Sequence, residues 1–226
     1  MGFRVDDVVP WGRSFDEYVA MFGLTGADLD RRILGCGDGP AAFNAGLAGR
    51  GGSVVSIDPI YALGRASIRR RIESTFDTVL AQVRRNEEDY AWQTIGSVEE
   101  LGRVRMAAME TFLADYDTGK AQGRYVPAEL PELPFEDDAF DLALSSHFLF
   151  LYGDRLSGEF HVRALREMLR VAPEVRVFPL VTLDGSPSPP LGEVTERLAG
   201  DGFTLQVRRV PYEFQRGANE MLRIVR

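Results

Sequence analysis

The chain has 226 residues, 45% hydrophobic and 27% charged, the composition of a globular protein with room for a substantial core. Its net charge of −8 argues against general affinity for nucleic-acid phosphates, which needs a positive field. Cys36 is the only cysteine, which excludes an intrachain disulfide and a cysteine-built zinc site and fits a reducing, cytoplasmic setting; no apolar run approaches the ~20 residues of a membrane span.

In chain order, Ser14 and Glu17 form a capping box that opens a helix with the apolar stripe Phe15, Tyr18, Val19 and Phe22. Gly23 and Gly26 stop it before a strand near Arg32 to Gly35. Pro40 suits the first turn of a second helix, whose buried face is Phe43, Leu47 and Ala48 and which ends at Gly49, Gly51 and Gly52. Ser53 to Ile57 is a second strand, closed by Asp58. Residues 62–124 then exceed what a simple crossover needs. Two helical stripes, from Ile68 to Val83 and from Val98 to Tyr116, predict a helical insertion, the second behind a capping box of Ser97 and Glu100. Such an insertion either packs over the sheet edge or caps a substrate site.

Alternation resumes with a short strand at Arg124 to Pro127, a proline-rich loop from Glu129 to Asp138, and a strand from Phe140 to Leu144 bounded by Ser145 and Ser146. A helix from Phe160 to Val171, a strand from Val175 to Leu180 and a short helix around Val194 and Leu198 follow. Phe203 to Val210 and Met221 to Val225 complete the chain as two strands. The class is α/β: a Rossmann-like, doubly wound, mostly parallel seven-stranded sheet with helices on both faces.

The chemistry centres on Ile33-Leu34-Gly35-Cys36-Gly37-Asp38-Gly39-Pro40. Strand, glycine turn, helix, strand and terminal acid make the half-fold that holds an adenosine-containing cofactor. A dinucleotide fingerprint would place its third glycine at Pro40, and a phosphate loop would need Gly-Lys-Ser/Thr. Read with Ser53-Val54-Val55-Ser56-Ile57-Asp58-Pro59 and Leu133-Pro134-Phe135-Glu136-Asp137-Asp138-Ala139-Phe140-Asp141, the loop resembles motif I of the class I S-adenosylmethionine-dependent methyltransferases.

The resemblance implies S-adenosylmethionine as cofactor and methyl transfer to a small molecule. Gly35, Gly37 and Gly39 would line its methionine and ribose side, Asp58 would accept hydrogen bonds from the ribose hydroxyls, Glu129 would lie near the adenine, and Ser145 would make a contact near adenine or methyl. The family's first strand ends acid-x-Gly, and here Ile33 takes the acid's place; Asp38 is the candidate replacement. His147 is the residue placed and titrating suitably for a general base, while His161 reads as surface or packing. Tyr18 and Arg13 are candidates for a cofactor-carboxylate or substrate contact, with Tyr18 equally readable as core. Arg69, Arg70 and Arg71 read as a solvated helix face beside Glu73 and Asp77. Two rivals stand beside methyl transfer: a non-catalytic protein that keeps the fold, and a nucleotide-dependent oxidoreductase.

Overall fold

The computed structural model describes residues 10–226. Seven strands form one sheet: β1 (Arg32–Cys36), β2 (Ser53–Ile57), β3 (Tyr125–Val126), β4 (Leu142–Ser146), β5 (Glu174–Phe178), β6 (Thr204–Arg209) and β7 (Glu220–Val225). Their order is β3-β2-β1-β4-β5-β7-β6. The first five are parallel, and β7 enters antiparallel between β5 and β6. A mostly parallel seven-stranded sheet is what the sequence leads us to expect.

The helices are α1 (Phe15–Phe22), α2 (Gly26–Leu29), α3 (Phe43–Ala48), α4 (Arg65–Arg85), α5 (Val98–Ala121), α6 (Gly158–Val171) and α7 (Leu191–Gly200). None among the described residues is long and apolar enough to cross a membrane. Because both faces of the central strands are covered, those strands read as continuous apolar runs. Ile33, Leu142, Leu144 and Phe178 meet α1 and α3 on one face through Tyr18, Met21, Phe22, Phe43 and Leu47. Leu34, Ala143, Val175 and Val177 meet α6 and α7 on the other through Leu165, Met168, Leu169, Val194 and Leu198. The one-residue alternation along β1 and β4 thus sorts two cores.

The insertion is the helix pair α4–α5, fastened to the β2–β3 edge by an aromatic knot of Tyr61, Phe112, Tyr116 and Tyr125, whose ring centroids lie 5.1–6.0 Å apart. Lys120 donates to the carbonyls of Tyr61 and Leu63 and so closes the turn before α4.

Several boundaries differ from the sequence expectation. Gly26 does not merely end α1: Thr25 and Asp28 form a second capping box that opens the four-residue α2. Pro40 lies ahead of α3, whose first residue is Phe43. Ser97 caps α5, but Glu100 turns its carboxylate to the amide of Gly96 rather than back to Ser97, so the box is half formed. β4 runs two residues further than expected and includes Ser145 and Ser146.

Candidate functional site

β1 and β4 are neighbours whose connections leave in opposite directions, and the crevice beyond their carboxyl ends is where an open α/β sheet binds ligands. A cavity of about 470 Å³ opens there. Gly37 (φ +73°) and Gly39 (φ +52°) line it in left-handed backbone conformations, and a Cβ on Gly37 would press within 3.2 Å of the Phe148 ring. The loop is rigid: Gly37 N donates to Ile57 O at 2.9 Å, and Tyr61 Oη donates to Gly39 O at 2.7 Å.

Two carboxylates stand on this wall. Asp58 accepts from Gly39 N and Ile60 N, one on each oxygen, both at 2.9 Å, so it caps the turn Pro59–Ala62 as well as facing the cavity. Asp38 accepts from Tyr18 Oη at 3.0 Å and Ser56 Oγ at 2.5 Å. Burial raises both to about 6; their hydrogen bonds oppose that shift, and neighbouring acids add to it, Asp58 for Asp38 and Glu129 for Asp58. Among the described residues neither has an arginine or lysine partner. Glu129 lines the same wall.

The order of residues in the loop has a steric reason. A Cβ on Gly35 would overlap the Asp38 carboxylate, so the space that a side chain at position 35 would fill is occupied by Asp38 folding back from the loop. Ile33, on the same face one pair earlier, is wholly buried between Val54 and Leu142 and makes no part of the cavity. A carboxylate missing from position 33 is thus offered by Asp38, five residues later, in the space beside Gly35. Gly35 accordingly does not line the cavity; it makes room for the group that does.

Ser145 also departs from expectation. It is wholly buried, its Oγ without a hydrogen-bond partner among the described residues, and it does not line the cavity, whereas Ser146 and His147 do. With side chains alternating along β4, the extension of the strand turns Ser145 into the sheet. His147 sits at φ +53°, donates its amide to Phe178 O at 2.7 Å, and shares a 2.8 Å hydrogen bond between Nδ1 and Ser146 Oγ. Burial, with the charges of Arg13 and Arg105, holds its pKa well below the usual histidine range, so the ring is neutral and a weak base. His161 is wholly buried, stacked on Phe150 at 5.1 Å, which is the packing role and not the surface one.

The opposite wall comes from segments far apart in sequence. Arg105 of α5 is wholly buried and donates to both oxygens of Glu17 at 2.6 Å, and Tyr212 Oη adds a third bond at 3.0 Å. This ties α1, α5 and the β6–β7 loop together. Arg13 and Tyr212 line the cavity beside it. The α4–α5 connection reaches across to the same loop: Ala91 N donates to Phe214 O at 2.7 Å, and the rings of Tyr90 and Phe214 stack at 4.8 Å. Arg71, Val79, Gln82 and Val83 of α4 line the cavity as well, so part of the insertion borders it. Arg69 instead pairs with Glu110 on the solvated face.

Tyr18, Ser56, Arg105 and Tyr212 were not legible as site residues, except that Tyr18 was weighed against a core role. It serves both: it stacks on Phe43 at 4.8 Å and holds Asp38.

No protein-family model matches the chain. Among solved structures it is similar to magnesium protoporphyrin IX methyltransferase of Synechocystis PCC 6803 with bound S-adenosylmethionine, at 12% identity over 94% of this chain and 77% of that one, with a TM-score of 0.47. It is also similar to an S-adenosylmethionine-dependent methyltransferase of Aquifex aeolicus, at 16% identity over 94% and 89% of the two chains, with a TM-score of 0.45. A relative in sequence is the uncharacterized protein MJ0045 of Methanocaldococcus jannaschii, 32% identical over 224 residues, which span 99% of this chain and 98% of the relative. With that identity over nearly the whole of both chains, the protein belongs to the family of MJ0045.

Proposed function

We propose that the protein is an S-adenosylmethionine-dependent methyltransferase acting on a small molecule. The observation that carries this reading is the pair of strand-end carboxylates, Asp38 and Asp58, facing the cavity and, among the described residues, bonded to no arginine or lysine. A ligand with a ribose and an ammonium group suits them: Asp58 retains lone pairs for ribose hydroxyls, and Asp38 stands where a motif acid at the end of β1 would reach for the α-amino group. Gly37 lets backbone approach the ligand closely, and Glu129 is the candidate near the adenine.

When bound, the cofactor supplies a methyl group already activated by its sulfonium: the acceptor's lone pair forms the new bond to carbon, and the electrons of the breaking C–S bond stay on sulfur. The chain's part is alignment and exclusion of water, with the α4–α5 insertion bordering the cavity and the loop fixing one wall. His147, neutral and on the wall, takes the acceptor's proton only if the acceptor is itself acidic enough for a weak base. An enclosed, aromatic-lined cavity and a net charge of −8 favour a small acceptor over nucleic acid.

Calorimetric titration with S-adenosylhomocysteine and, in parallel, with NAD tests the cofactor. The expected result is one site for the sulfur compound at sub-millimolar concentration and none for NAD; NAD binding alone would move the protein to redox chemistry. Incubation of cell metabolite extracts with methyl-labelled cofactor then identifies the acceptor by the labelled product.

A further inference from the structure

Arg13 is one of three arginines among the described residues that line the cavity, with Arg71 and Arg155, and the cofactor reading gives it no role. Its Nη1 donates to Trp11 O at 2.6 Å, while Nε is buried and meets no acceptor among the described residues. Among the described residues, the only carboxylate that shifts it is Glu17. Glu17 is already engaged, by both contacts from Arg105, by Tyr212 Oη and by the amide of Ser14. Two guanidiniums thus share one carboxylate in a buried setting, an excess of one positive charge, and His147 alongside is neutral. A buried cation left short of an anion is costly, and burial together with Arg105 pulls the Arg13 pKa down accordingly.

Arg13 stands away from the acids that the cofactor would use. Its carbonyl accepts from Ala42 N at 2.9 Å and its charge reaches Tyr18, Tyr90, Tyr152, Tyr212 and His147, whereas among the described residues it contributes nothing to the shifts of Asp38 and Asp58 themselves. Around it the cavity is walled by rings, those of Trp11, Tyr90, Tyr152, Tyr212, Phe178 and Phe214. A planar guanidinium matches a carboxylate, one excess charge matches one monoanion, and ring faces suit a flat apolar body.

We propose that Arg13 binds the carboxylate of the methyl acceptor, and that the acceptor is a small aromatic carboxylate. The proposal rests on the methyltransferase reading, because the cofactor must occupy the acid wall for the cationic wall to belong to the acceptor.

The test is titration of benzoate, and of its neutral counterpart benzamide, into the full chain saturated with S-adenosylhomocysteine. Benzoate is expected to bind at least about tenfold more tightly than benzamide. In Arg13→Gln that preference disappears while the affinity for S-adenosylhomocysteine stays within about twofold, and Arg13→Lys, which keeps the charge, retains part of it. Benzoate that fails to bind, or binds no better than benzamide, overturns the subsite without needing any variant. Arg13 belongs to the cofactor instead, and the proposal falls, if Arg13→Gln weakens S-adenosylhomocysteine by about tenfold but leaves 5′-methylthioadenosine, which lacks the amino-acid end, unchanged. Failure of the wild-type chain to bind S-adenosylhomocysteine would sink the cofactor reading separately; the benzoate preference and its loss in Arg13→Gln, measured without it, then still decide the subsite.

Discussion

The two ends of the sheet treat their carboxylates in opposite ways. At the amino end of β5, Asp28 and Glu174 are clamped by Arg31, Arg176 and Arg223 at 2.7–3.4 Å, and both carboxyls are held at about 2 despite their burial. At the carboxyl ends of β1 and β2, Asp38 and Asp58 have, among the described residues, only hydroxyl and amide donors, and they sit at about 6. The first group completes its own electrostatics and serves the fold. The second has no countercharge among the described residues, which is the feature that the proposed cofactor site rests on.

The largest expected effect breaks the clamped end. Arg176→Ala strands Asp28 and Glu174 with less countercharge, and denaturant unfolding is expected to show a loss of about 3–5 kcal/mol with little change in ligand affinity beyond it. At the open end the pattern reverses. Asp58→Ala is expected to weaken S-adenosylhomocysteine about a hundredfold, the loss of one or two charge-assisted hydrogen bonds, while stability moves by less than about 1 kcal/mol because a lost cap and a relieved buried charge oppose each other. Comparable losses of stability in both variants would erase the distinction between the two ends.

A smaller effect separates them by pH. Asp38 and Asp58, near 6 when folded against ~3.9 in an unfolded chain, bind more protons folded than unfolded between those values, so their contribution falls as pH rises from about 4 to about 6. Asp28 and Glu174, near 2, contribute stability that is present above about 4 and is lost as pH falls toward 2. Asp38→Asn and Asp58→Asn are therefore expected to raise the ligand-free stability at pH 7.5 by about 1–2 kcal/mol each and to flatten its slope between pH 4 and 6. Unchanged slopes would mean that these carboxylates ionise as easily as exposed ones.

The acid wall was largely legible because its residues follow strands directly: a glycine turn after β1 and an acid after β2 are local signals. Ser145 was expected just past the end of β4; the strand runs on through Ser146, and with side chains alternating it is Ser146 whose side chain lines the cavity while that of Ser145 is buried on the other face. Of the cationic wall only Arg13 was singled out, since Glu17 meets Arg105 and Tyr212 across 88 and 195 residues and no local pattern couples them. The insertion was visible as two apolar stripes, but its place beside the cavity depends on Tyr90 and Phe214 meeting from separate loops. Asp38 was weighed as a stand-in for the missing motif acid; that Gly35 makes the exchange sterically feasible emerges only in three dimensions.

That exchange gives the most direct measurement. If the Asp38 carboxylate, resting on Gly35, holds the ammonium end of the cofactor, Asp38→Gly should weaken S-adenosylhomocysteine by about tenfold or more and leave 5′-methylthioadenosine untouched. Moving the acid to the strand position whose side-chain space it fills, in the double variant Gly35→Asp/Asp38→Gly, should restore the affinity to within a few-fold of wild type, about 1 kcal/mol. A folded Asp38→Gly variant that binds S-adenosylhomocysteine as well as wild type would contradict the account.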